Sequence, residues 1–96
     1  YQVNLAHGAT TRISSALFQD STADAIAASG TGPGATGLPQ GARKLYLMIA
    51  ATTSSTTFKV RAGGNLGGTT TFNGAASARL FGGVYYSWLR IEEIMT

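Results

Sequence analysis

The sequence predicts an all-β domain, a small antiparallel β-sandwich or jelly-roll-like barrel with at most one short helix. Two observations carry that expectation. Apolar and polar residues alternate in most readable segments, the period-2 pattern of a strand with one buried face. Turn-forming clusters interrupt these segments at "AHG", "TGPGATGLPQG", "TTSSTT", "GGNLGG" and "FNGAA". Their spacing of roughly ten residues suits short strands folded into a sandwich or barrel.

Taken in order, "YQVNL" places Tyr1, Val3 and Leu5 on one face, and "TTRISSALF" does the same for Thr11, Ile13, Ser15 and Leu17. "DSTADAIAASG" has helical character: Ser21 can cap an N-terminus and Gly30 can stand past the end, which leaves room for about two turns at most. "RKLYLMIAA" puts Leu45, Leu47 and Ile49 on one face and Tyr46 and Met48 on the other. Both faces are apolar, so this segment is expected to be the central strand. In "TFKVRAGG", Phe58, Val60 and Ala62 point inward and Lys59 and Arg61 outward, and "SARLF" turns Ala78 and Leu80 inward.

Gly82 and Gly83 form a hairpin turn before the closing stretch "VYYSWLRIEEIMT". Read as a strand, that stretch lines Tyr86, Trp88 and Arg90 on one face, with Tyr85, Leu89 and Ile91 on the other. Read as a helix, it has a stripe of Val84, Trp88, Ile91 and Met95. The Val-Tyr-Tyr and Trp residues favour the strand.

Ninety-six residues make a single domain, 1–96. Tyr1 in place of an initiator methionine predicts a chain cut or processed from a longer one. Charged residues are 11% of the chain, against about 25% in an ordinary soluble domain. The deficit implies surface hidden in an oligomer or assembly; the other reading is a neutral surface kept soluble by Ser, Thr and Gly. The net charge of +3 is spread without any run, and its nearest approach to a cluster, Lys59 and Arg61, is no nucleic-acid footprint. Leu45–Ala51 is too short to cross a bilayer, so no membrane partner is expected.

Candidate chemistry is sparse. His7, the only histidine, falls in the turn "AHGATT", where a solvated imidazole is expected and His7→Ala leaves folding unchanged. Asp20 and Asp24 match no calcium loop and suit capping or solvation. Glu92 and Glu93 are adjacent and project to opposite faces of a strand. Glycine-rich "GTGPGATG" lacks the following helix N-terminus of a phosphate loop, because Pro39 and Gly41 oppose one, and it reads as a flexible connection. No catalytic residue, cofactor or metal is expected.

"LPQGARKLYLMIAATTSSTTFKVRAGG" and the closing "YYSWLRIEEI" resemble bacteriophage virion structural proteins, the small β-sandwich or jelly-roll domains of capsid decoration proteins and tail-fibre tips. "LPQGARKLYLMIA" is similar to the entry into the central strand of such a jelly roll, and "YYSWLRIEEI" to its closing strand. The resemblance covers the chain from Leu38 onward. It implies a virion or extracellular location, a homo-oligomer such as a trimer, contacts with other virion proteins or a host-surface glycan, and no cofactor. The chain is shorter than those trimeric domains, which sets the trimer in question more than the β class.

Three functions are then in competition. A structural subunit would use Tyr86, Trp88 and Arg90 as an interface, because Trp, Tyr and Arg supply most interface hot spots. A carbohydrate-binding module would use Tyr85, Tyr86 or Trp88 as a stacking platform. A filament subunit would donate "YQVNLA" to a neighbour's sheet edge. On the first reading Leu89 and Ile91 fill the core, and Leu89→Ala unfolds the subunit more readily than Trp88→Ala.

Overall fold

The computed structural model describes residues 1–8, 12–32 and 37–95. The inward reading of Thr11, and most of the proline-bearing connection at 33–36, lie outside these residues. Among the described residues eight strands run in order: β1 (Gln2–His7), β2 (Ile13–Gln19), β3 (Ala27–Thr31), β4 (Gln40–Arg43), β5 (Phe58–Gly64), β6 (Thr70–Phe72), β7 (Gly74–Ala75) and β8 (Ala78–Arg79). A single 3₁₀ turn, Phe81–Gly83, follows.

The fold is all-β and every strand pairing is antiparallel. One sheet has the order β4-β1-β6, a second β3-β2-β5, and β7 and β8 form a small hairpin. β1 and β2 are thus the two central strands, and the hydrophobic cluster lies between them. Tyr1, Val3 and Leu5 from the first sheet join Ile13 and Leu17 from the second, with Ala42 of β4. Phe58, Val60 and Ala62 pack against this cluster on the face that their alternation predicts. The Tyr1 hydroxyl and Ser15 Oγ are 2.8 Å apart, so the one polar side chain fully buried in β2 is satisfied across the two sheets.

Residues 20–31 hold no helix. Asp20 (φ 51°) turns the chain out of β2, and the Thr22 N–H donates to the Gln19 carbonyl at 3.1 Å. Ala27–Thr31 then pairs with β2 from Leu17↔Ala27 to Ile13↔Thr31, with Gly30 opposite Ser14. An isolated helix this short is marginal, because nucleation fixes several residues for its first bond. A ladder along β2 satisfies the same backbone groups and closes the sheet. Asp20 does cap, but across the fold: its Oδ1 accepts from the Thr57 N–H at 2.8 Å, tying the end of β2 to the start of β5.

The expected central strand is also displaced. Strand pairing covers Gln40–Arg43 and stops before the apolar residues, so "LYLMIAA" carries no ladder and is exposed. β1 takes the central place in its sheet, and its residues from Val3 to His7 are all buried. "SARLF" shrinks to the two-residue β8, where Ala78 is exposed and only Leu80 is half-buried. Its hairpin turns at Ala76 and Ser77, both at positive φ (49° and 62°). That is a type I′ geometry in which L side chains carry strain.

Candidate assembly face

The closing stretch meets the body of the fold at one point. Gln2 and Trp88 form an isolated antiparallel bridge: Gln2 N–H donates to the Trp88 carbonyl at 3.0 Å and Trp88 N–H to the Gln2 carbonyl at 2.8 Å. Asn4 reinforces the contact, with Nδ2 donating to the Tyr86 carbonyl at 2.5 Å and its backbone N–H to Ser87 Oγ at 3.0 Å. The Ser87 hydroxyl then donates to Asn73 Oδ1 at 2.7 Å. Residues 86–88 are clamped to β1, and the rest of the expected closing strand is unpaired.

The core assignment of Leu89 and Ile91 is corrected accordingly. Leu89 is 40% exposed and Ile91 63%, no deeper than Trp88 at 39%. They reach only the open margin of the core, where they line a small cleft of about 100 Å³ with Tyr1, Leu17 and Phe58. The glycine pair belongs to the 3₁₀ turn, with φ of 62° at Gly82 and 91° at Gly83, and leads into no strand beyond the Trp88 bridge.

Two segments, without ladder partners from Leu45 and from Leu89 onward among the described residues, flank the same end of β1. Residues 43–47 and 88–94 line a cleft of about 430 Å³ walled by Leu45, Leu47, Trp88, Arg90, Glu92 and Ile94. A second cleft of about 480 Å³ continues from it over Met48, Ile91 and Phe58. Exposure still alternates along the first segment: Leu45, Leu47 and Ile49 are 84%, 76% and 91% exposed, Tyr46 and Met48 43% each. The predicted faces exist without the predicted strand. The side chains at 45–49 form, with Trp88, Leu89, Ile91, Ile94 and Met95, an exposed apolar face.

Charges border the cleft. The Arg43 guanidinium sits 5.9 Å from the Trp88 ring centroid, within cation–π range. Arg90 pairs with Glu92 in the open, where such a pair contributes little to stability. Of the residues expected at an interface, Trp88 and Arg90 meet in this cleft and Tyr86 does not line it. Of the stacking candidates, Tyr85 is half-buried and packs edge-on against Phe81 at 5.5 Å, and Trp88 already carries a guanidinium over its ring. Arg43, Leu45 and Leu47 escape the sequence reading because "RKLYLMIAA" is read as the central strand, and Ile94 because the faces of the closing stretch are read only as far as Ile91. The readable signal was a run apolar on both faces, which is costly on any edge.

His7 is not in a turn. It ends β1, is 5% exposed, and uses both ring nitrogens: Nε2 lies 2.9 Å from the Leu66 carbonyl and Nδ1 2.7 Å from Thr70 Oγ1. A carbonyl oxygen can only accept, so Nε2 carries a proton and donates; in the neutral ring Nδ1 then accepts from the Thr70 hydroxyl. A Cβ on Gly64 would fall within 2.4 Å of the ring, so glycine at 64 makes room for it. The imidazole pins the 65–69 bend to β1. The alternation of Tyr1, Val3 and Leu5 hid this, because β1 is covered on both faces and runs two residues further, pairing Ala6 with Thr71 and His7 with Thr70.

The fold therefore defines an all-β protein of small antiparallel sheets with one apolar, unpaired end. Comparison with protein-family models, with curated proteins and with solved structures finds no match to this chain.

Proposed function

We propose that this protein is a non-enzymatic structural subunit of a virus particle, of the phage capsid-decoration or tail-fibre kind, acting through contacts with copies of itself and with other virion proteins. The observation that carries this reading is the exposed apolar face at 45–49 and 88–95. Soluble monomers rarely expose apolar patches beyond a few hundred Å². The chain has 6580 Å² of accessible surface, about 1,400 Å² more than the ~5,200 Å² of a compact monomer of 9.9 kDa. Its radius of gyration is 14.8 Å, against about 12.5 Å for a compact domain of this length.

No cofactor is required, and the one histidine is committed to the fold by both nitrogens. The location that follows is the virion or the extracellular space. Light scattering on the purified protein, with imaging of the native particle, tests the reading. The expected result is an oligomer whose contacts cover Trp88 and Leu47. A monomer that is also contact-free in its particle contradicts it, and glycan binding lost in Trp88→Ala with assembly intact transfers the function to carbohydrate recognition.

A further inference from the structure

Asn73 and Gly74 lie where β6 gives way to the β7–β8 hairpin, and the backbone demands both residues. Asn73 holds a φ of 59°, which asparagine accepts more readily than most side chains. Gly74 is buried, and a Cβ there would overlap the Ala78 carbonyl oxygen, so only glycine fits. The fold thus sets an asparagine before the one residue that has no side chain to screen its own backbone nitrogen. Asn4 and Asn65 are each followed by leucine, whose branched side chain screens that nitrogen.

The Asn73 side chain is held while the hairpin beyond it is weakly held. Its Oδ1 accepts from the Ser87 hydroxyl at 2.7 Å, and Ser87 Oγ is fixed in turn by the Asn4 N–H at 3.0 Å. That donor draws electrons from Cγ and stabilises negative charge on Oδ1 when a nucleophile adds. On the main chain, the Asn73 N–H donates to the Asn4 carbonyl at 2.7 Å. The hairpin pairs only Gly74 with Arg79 and Ala75 with Ala78, turns through Ala76 and Ser77 at positive φ, and closes on a 3.4 Å bond from the Leu80 N–H to the Asn73 carbonyl. A ladder so short and strained opens locally while the central strands stay paired. Opening turns ψ of Asn73 and swings the Gly74 nitrogen past a side chain that stays in place.

We propose that Asn73–Gly74 is a self-modifying site, and that its conversion loosens the hold of β1 on the closing stretch. The Gly74 nitrogen gives its proton to a solvent base and bonds to Cγ of Asn73. The Cγ–Nδ2 bond breaks, Nδ2 takes a proton from water and leaves as ammonia, and a cyclic succinimide remains. Water then opens the ring at either carbonyl. Cleavage between Cγ and the Gly74 nitrogen gives aspartate, and cleavage between the main-chain carbonyl carbon and that nitrogen gives isoaspartate. In isoaspartate the main chain runs through Cβ and Cγ and is longer by a methylene, and the former Oδ1 is a main-chain carbonyl oxygen. It cannot serve the Ser87 hydroxyl while the Asn73 and Leu80 N–H groups both keep their ladder bonds. Aspartate keeps the acceptor, so isoaspartate is the loosening product. The inference stands apart from the assembly reading.

The wild-type protein tests this directly. It is kept folded in mildly alkaline buffer made with heavy-oxygen water, sampled over weeks, and mapped by peptide mass spectrometry with electron-transfer fragmentation to tell isoaspartate from aspartate. Residue 73 should take up heavy oxygen in both isomers, while Asn4 and Asn65 keep their amides. In the isoaspartate fraction, amide exchange should quicken at Trp88, whose N–H bonds the Gln2 carbonyl, and β2 should keep its protection. The same chain unfolded in urea shows what the dipeptide does without the fold. Residue 73 that keeps its amide in the folded protein, whether or not it converts in urea, overturns the proposal. Isoaspartate formed in the folded protein with exchange at Trp88 unchanged overturns the loosening. Either result leaves the assembly reading standing.

Discussion

Val3 and Leu5 in β1 are buried, whereas Leu45, Leu47 and Ile49, on an alternation just as regular and more apolar, stand in solvent. The difference is in the neighbours. β1 has a strand on each edge and a second sheet beneath it, while residues 45–51 run past the Tyr1–Lys44 rung with no strand paired to them among the described residues. Alternation decides which side chains share a face. Only pairing partners, distant in sequence, decide whether that face is covered.

The largest effect that can break this comparison comes from matched truncations. Leu5→Ala should cost roughly 2–5 kcal/mol, the usual range for a fully buried leucine, while Leu47→Ala should barely move the unfolding midpoint of dilute subunit. Urea denaturation measures both, and equal losses would erase the distinction. Next comes His7→Ala, which removes a buried ring and strands the Leu66 carbonyl and Thr70 hydroxyl; a loss of about 2–4 kcal/mol is expected. A change within error would return His7 to a solvated turn.

Leu89→Ala sharpens the boundary between the regions. At 40% exposure it should cost the subunit about 1 kcal/mol or less, well below a core truncation. Smallest is a stabilising change in the β7–β8 hairpin, outside both regions. Ala76→Asn with Ser77→Gly supplies residues that accept positive φ, and should raise stability by about 1 kcal/mol. Thermal unfolding that stays put or falls would contradict the type I′ reading.

Much of the fold was legible, because one-sided alternation in "YQVNL", "RISSALF" and "TFKVRAGG" reports burial against a single core. The helix expected within "DSTADAIAASG" does not form because its Ala and Ser residues also fit a strand, and pairing with β2 is invisible to local propensity. His7 was misread because a neighbouring glycine signals a turn, whereas β1 continues through the histidine to meet β6. At the candidate site the faces of 45–49 and 86–91 were readable and their destination was not. Of the expected face Tyr86, Trp88 and Arg90, the last two line the cleft, and the Leu45–Ile49 wall is read as a central strand of a core it does not enter.

Amide hydrogen exchange across a dilution series tests the central claim most directly. At concentrations where the oligomer dominates, the amides of residues 45–51 should be protected to a degree approaching those of β1, and that protection should vanish on dilution while β1 keeps its own. Rapid exchange at 45–51 at every concentration, or protection there that persists in dilute monomer, would contradict the account.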